Sequence, residues 1–426
     1  MWEAEKFQTF LSTNKSLCFQ GFYQVFHKNF FYYNNYKNNK IYLLIDERVF
    51  LQGGKTMKFS CEKYLLQNAC ATASRAAASK SPIPALEGLL IEAGSSVKIT
   101  GYDLKEGIYT SFPADIAKPG SIVLGARFFG EMIRRLPDGI VTVTADQSNN
   151  VNVKCGKSEF NFMGISADDY PEMPVVDGLN NISLPQKILR SMINQTIFAV
   201  SDNDVRPIYT GTLFEIEGDE LTLVSVDGYR LAKRREKLES AKMENCSFVV
   251  PGSALSDIER ICTDEEEAVE IAVGAKHISF SIGETVLISR RLEGEFLNYR
   301  KSIPDSFRYK LQVERTELMA SIDRVALIVS EKNSSPVRMN FNDGSIDLLC
   351  VTPIGKAEDI CTCEGSGEGL EIGFNDRYLM DALKAAGKDQ LNICLNTASS
   401  PCIIEASDGS DGFTYMILPV RLRAGD

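Results

Sequence analysis

Histidine is nearly absent. The 426 residues hold two, His27 and His277, and neither has a nucleophile beside it. Histidine is the commonest general acid–base residue, so its scarcity argues against an enzyme. Tryptophan occurs once, as Trp2. No apolar run reaches the ~18 residues of a membrane-spanning helix, and no membrane association is expected. The N-terminus lacks the basic-then-apolar pattern of a signal peptide, so a cytoplasmic location is expected. Metal-ligand spacing is missing too. Eleven cysteines are scattered, and the one close pair, Cys361 and Cys363, has no second pair or histidine near it. No metal and no cofactor are expected. Most cysteines sit in apolar runs such as "NICLN" and "DLLCV" and read as small buried hydrophobes.

What remains is an ordinary globular composition, 44% hydrophobic and 24% charged, long enough for two to four domains. The net charge of −11 taken alone disfavours nucleic acid. Screening makes nearby charges dominate, however, so their distribution over faces decides. Residues 1–56 stand apart: they carry 14 of the chain's 39 aromatics (1 Trp, 15 Tyr, 23 Phe) and sustain no helical or strand period. Met57 then opens a clean strand and an amphipathic helix. Translation is expected to start there, with residues 1–56 a misannotated or disordered extension.

The rest of the chain repeats. "MKFSCEKYLLQNACATAS" from 57, "NISLPQKILRSMINQTIFAVS" from 181 and "YKLQVERTELMASIDRVALIVS" from 309 each read as strand, polar break and helix. In the second, Ile188, Leu189, Met192, Ile193 and Ile197 are expected on one helical face. Each opening leads into alternating strands joined by Gly/Asp/Ser turns, then a second strand–helix–strand set. Three tandem domains follow, at 57–178, 179–306 and 307–426, each of two β-α-β-β-β halves: an α+β fold with six helices and six small antiparallel sheets. Proline-containing linkers fall near 168–178 and 297–306. A helix on one face of each sheet leaves the other face to water, and free end edges can pair with another copy into a ring.

With "MKF" at 57, "LPQ" at 184–186, "DNDVRPIYTGTLFE" at 202–215, "DGYRLA" at 227–232, "IGFN" at 372–375 and "YMILPVRL" at 415–422 in order on this threefold repeat, residues 57–422 resemble the bacterial sliding clamps, the β subunits of the replicative DNA polymerase. The resemblance implies a head-to-tail ring homodimer of DNA-clamp domains, helices lining the inner face and antiparallel sheets outside. Duplex DNA would thread the ring, independent of sequence. It implies a processivity factor in DNA replication with no catalytic activity, associated with the nucleoid and replisome. Its partners would be the polymerase α subunit, the clamp loader and other proteins carrying clamp-binding peptides.

Three surfaces follow from the resemblance. Helices facing DNA would present Arg75, Lys80, Arg134, Arg135, Lys187, Arg190, Arg377, Lys384 and Lys388, with Asn203 and Arg206 on a loop. Phosphate attraction needs such charge and no base readout. Lys80, Asn203 and Arg206 match the family's DNA-contacting loops most directly. A partner-peptide pocket would be lined by Tyr209, Val226, Gly228, Tyr229, Arg230, Leu231, Leu297, Met416 and Leu418. Gly228 would let a backbone pass closely, and Arg230 would meet a peptide's polar atoms. Leu297 stands where the family commonly has proline, and Val420 where it has methionine. The dimer contact would bring together Phe160, Ile328 and Val329. Read without the resemblance, Asp227-Gly228 is an ordinary turn with a core tyrosine beside it, and the basic residues are solvated helix faces. Two other readings stay open: a β-rich repeat scaffold binding protein partners only, and an enzyme working through Asp202, Asp204 and Asp227.

Overall fold

The computed structural model describes residues 56–176, 180–238, 245–329, 335–409 and 412–422, with the backbone of three short strands at Gln24–His27, Phe30–Asn35 and Lys40–Leu44. Those three form an antiparallel meander. Strands of four to six residues are too short to impose a period on the sequence around them. The remainder of what was expected of residues 1–56 lies outside the described residues.

Six α-helices occur among the described residues, one for each half-domain. They are α1 (Lys63–Ala73), α2 (Ala126–Arg135), α3 (Gln186–Asn194), α4 (Gly252–Ile261), α5 (Arg315–Ala326) and α6 (Asp376–Ala385). Each continues directly from a strand, and they pack in pairs, α1 with α2, α3 with α4 and α5 with α6. Helical spacing sets the buried stripe. In α2 it is Ala126, Phe129, Met132 and Ile133, which leaves Arg134 and Arg135 in solvent.

The stripe expected of α3 is corrected at its end. Ile197 lies beyond the helix, in a short turn, and Ile188 is only half-buried. Thr196, fully buried, closes the helix end: its N–H donates to the Ile193 carbonyl (3.0 Å) and its hydroxyl to the carbonyls of Met192 (2.9 Å) and Ile193 (3.3 Å). Thr196→Val keeps the shape and removes the donor. It is expected to cost about 1 kcal/mol, read as a lower denaturant midpoint.

The chain divides into two compact units, Met1–Asp103 with Ile108–Glu172, and Leu104–Gly107 with Met173–Asp426. In the first, Met57–Glu62 lies between Asp115–Lys118 and Ile140–Ala145, and Ser158–Met163 is the edge of that five-stranded antiparallel sheet. Gly88–Ala93 pairs with Val97–Tyr102 and Gly120–Gly125. Phe59, Leu66, Ile91, Phe129 and Val143, all fully buried, form one core between these strands and α1 and α2.

In the second unit, ten strands form one sheet. Its seam is Arg230–Lys237 against Phe413–Ile417, with Leu231 opposite Met416. Six separate sheets were expected, but here the second and third repeats share one. An open edge leaves N–H and C=O groups unpaired, and the neighbouring edge supplies their partners. The two-residue period then sends Ala232 and Tyr415 into the core beneath α5 and α6, and Leu231 and Met416 into a second cluster on the opposite face.

Ten cysteines are described. All are free thiols, and eight are buried. Burial pushes the Cys61 and Cys361 thiols up to about 12, so they stay protonated and unreactive. Among the described residues no helix is long and apolar enough to cross a membrane.

Candidate functional site

The second cluster surfaces where strand Glu220–Val226 must turn back into Arg230–Lys237. Asp227 makes the turn. Its Oδ1 accepts from the backbone N–H groups of Tyr229 (2.8 Å) and Arg230 (2.9 Å). Gly228 has φ +96°, a conformation that strains any residue with a Cβ. Nothing lies within 4 Å of where its Cβ would sit, so within the chain it is the dihedral angle that calls for glycine. Asp227 Oδ2 accepts from Arg230 Nε at 2.9 Å. Both carboxylate oxygens are thus committed to the turn. Asp202 and Asp204 are exposed loop residues. Among the described residues no group of His, Cys, Asp or Glu is placed to hold a metal.

Of the expected pocket residues, all but Leu297 and Arg230 gather around this turn, in three layers. Val226, Leu231 and Met416 are buried and form the floor. Tyr209 and Leu418 pack half-buried against them, with Phe296 edge-on to Tyr209 at 5.7 Å. Gly228 and Tyr229 stand at the rim, and Tyr229 is 63% exposed, unusual for so large a ring. Leu297 is also exposed. The Leu418 N–H donates to the Tyr229 carbonyl at 2.9 Å, fastening the C-terminal segment to the rim.

Arg230 points elsewhere. Its side chain is 11% exposed, and the guanidinium donates through Nη1 to Asp381 of α6 at 2.6 Å and lies 4.4 Å from the Tyr378 ring centroid. The polar end expected to meet a peptide is engaged within the chain. Sequence reasoning missed Phe296, Tyr378 and Asp381. The last two sit three apart on one helix, a spacing that puts them side by side, and this was the available signal.

The basic candidates separate by what surrounds them. Arg134 and Arg135 both reach Glu131 Oε2, at 2.8 and 3.2 Å, and the Arg134 hydrogen bond holds the Glu131 carboxyl below its usual range. Lys187 pairs with Glu266, Arg190 with Asp264 (2.8 Å) and Glu259 (3.5 Å), and Lys388 with Asp408 (2.7 Å). Lys80, Arg206, Arg377 and Lys384 are exposed and carry no ion pair among the described residues. Arg75 is exposed at the end of the first helical segment. Asn203 accepts the Val205 N–H through Oδ1 at 2.9 Å and shapes the loop that carries Arg206. Exposed ion pairs contribute at most about 1 kcal/mol, so phosphate can displace the pairing carboxylates.

Phe160 is 40% exposed on the edge strand of its sheet. Ile328 and Val329 are half-buried just after α5, against that domain's core. Val337–Thr352 is the outermost strand of the ten-stranded sheet.

Three family models match in order: the N-terminal, central and C-terminal domains of the DNA polymerase III beta subunit, at residues 57–174, 183–298 and 300–421. The chain is 32% identical over 358 residues to the beta sliding clamp of Staphylococcus aureus, covering 82% of this chain and 94% of that protein. It is 32% identical over 377 residues to the beta sliding clamp of Bacillus subtilis, covering 86% of this chain and all of that one. The crystal structure of the Bacillus subtilis DNA polymerase sliding clamp is similar with a TM-score of 0.83 at 31% identity, again over 86% of this chain and 100% of its own.

Proposed function

The chain belongs to the DNA polymerase III beta subunit family and is a non-catalytic processivity clamp of a DNA polymerase; we propose that it acts as a ring of two copies closed around duplex DNA. The observation that carries the reading is the succession of three clamp domains through residues 57–421 with a half-apolar groove built on the second and third. We place the domains at 57–178, 179–306 and 307–426. The groove of Tyr209, Val226, Gly228, Tyr229, Leu231, Leu297, Met416 and Leu418 takes short peptides of the polymerase α subunit, the clamp loader and other clamp-binding proteins. A few apolar anchors in a preformed cleft suit exchangeable partners. The unpaired edges at Ser158–Met163 and Val337–Thr352, with exposed Phe160 near one and Ile328 and Val329 near the other, support a head-to-tail contact between copies. The protein works at the replisome, on the bacterial nucleoid.

The DNA contact is electrostatic and indifferent to sequence, and its salt dependence tests it. Lys80→Glu, Arg206→Glu and Arg135→Glu are each expected to weaken binding to a fluorescent duplex about tenfold in dilute salt and far less in concentrated salt. Each phosphate that the variant no longer neutralises lowers the slope of log K against log salt by about 0.9. A loss of the same size at every salt concentration would exclude phosphate contact by these residues.

A further inference from the structure

We infer that Arg230 is a positioning residue: it latches the groove's rim to helix α6 of the third domain through Asp381 and Tyr378. The inference rests on the groove reading above and deepens it.

Arg230 begins its strand on the face opposite the groove. Leu231 points into the groove cluster, and the two-residue period sends Arg230 toward α6. There it meets four groups. Nε donates to Asp227 Oδ2 at 2.9 Å, and Nη1 to Asp381 Oδ2 at 2.6 Å. The guanidinium lies 4.4 Å from the Tyr378 centroid and 5.5 Å from that of Phe198. These are the charge-assisted and cation–π contacts that a planar guanidinium makes at once and an ammonium only in part. Arg230 and Asp227 are 11% and 12% exposed, so water screens the first pair little. The Tyr229 ring, on the rim, stacks on Tyr378 with centroids 6.3 Å apart and planes at 25°. Turn, rim tyrosine and α6 therefore form one connected set. The Tyr229 carbonyl in turn holds the Leu418 N–H, which makes up the facing wall.

A rim held this way is preorganised, and a peptide that binds it does not bear the cost of ordering it. Breaking the latch at Asp381, whose side chain belongs to α6 and not to the groove, should weaken peptide binding from a distance.

The experiment uses the full chain and a fluorescent copy of the polymerase α subunit's clamp-binding peptide, read by anisotropy. Asp381→Asn is expected to raise Kd about fivefold and Arg230→Ala about tenfold, with Arg230→Lys between wild type and Ala because ammonium keeps one partner at most. The double variant Arg230→Ala/Asp381→Asn should be no weaker than Arg230→Ala alone, the coupling expected of two residues acting as one unit. Losses that multiply, or a wild-type Kd for Asp381→Asn, overturn the latch. Amide exchange in the peptide-free protein supplies the second readout. Asp381→Asn should speed exchange at the Tyr229 and Arg230 amides about tenfold and leave the core strands unchanged. Unchanged exchange at the turn also overturns the latch. If the wild type binds no peptide while turn exchange still rises in the variant, the groove reading falls and the latch stands.

Discussion

Ending the chain after Ile417 is expected to abolish polymerase stimulation while leaving the fold intact. Strand Phe413–Ile417 is an inner strand, paired with Arg230–Lys237 on one side and Cys402–Ala406 on the other. Tyr415 and Ile417 are almost wholly buried, so a cut inside that strand would unmake the sheet. Beyond it the chain does little for the core. Val420 forms one isolated bridge to Gly373, and Leu422 covers the same glycine. Leu418, by contrast, is a groove wall and binds the Tyr229 carbonyl. Its removal takes away about half of the ~1.5–3 kcal/mol of a fully buried leucine, and the rim loses its tie as well. Together these correspond to a peptide Kd about 30-fold higher. Primer extension on a long template should fall to the level of polymerase alone, with far-UV circular dichroism unchanged. Leu418→Ala should give a partial loss, near tenfold. Undiminished stimulation by the truncated protein would mean that the groove does not receive the polymerase.

Much of this architecture was legible because periodicity is local. The stripe of α2 and the turn chemistry at Asp227-Gly228 are each set within a few residues. Tyr209, Leu231 and Met416 could be assigned to one cluster only through the resemblance, since they meet across two domains. What escaped lies in pairings between distant segments. Arg230 and Asp381 are 151 residues apart, and no period in either segment points to the other. The same holds for the seam between Arg230–Lys237 and Phe413–Ile417, because alternation tells which face a strand buries but not which edge it joins. The intrachain partners of Arg230 escaped for this reason: a basic residue beside a groove reads as a ligand contact alone until its acidic partner is seen.

Placed by its clamp loader on a nicked circular duplex, the protein is expected to travel with the DNA through gel filtration, and a single restriction cut is expected to release it. The magnitudes separate topology from affinity. Non-specific electrostatic binding at physiological salt has Kd of about 10⁻⁴–10⁻⁶ M. With an association rate of about 10⁷ M⁻¹s⁻¹, such a complex dissociates in roughly a millisecond to a tenth of a second. Nothing held by phosphate attraction alone survives minutes on a column, and the net charge of −11 leaves no global attraction to lengthen that time. Retention on the circle must then come from a closed ring, whose lifetime is set by opening of the contact between copies. The difference between circular and linear DNA should exceed about 10³ in residence time. Raising salt should shorten it little on circles, because phosphate attraction at the proposed contacts, Lys80 and Arg206, would not bear the tether. A groove binder would remain on both forms to the same extent, and a scaffold for proteins alone would remain on neither. Equal residence on cut and uncut DNA would therefore refute encirclement whatever the sequence similarity.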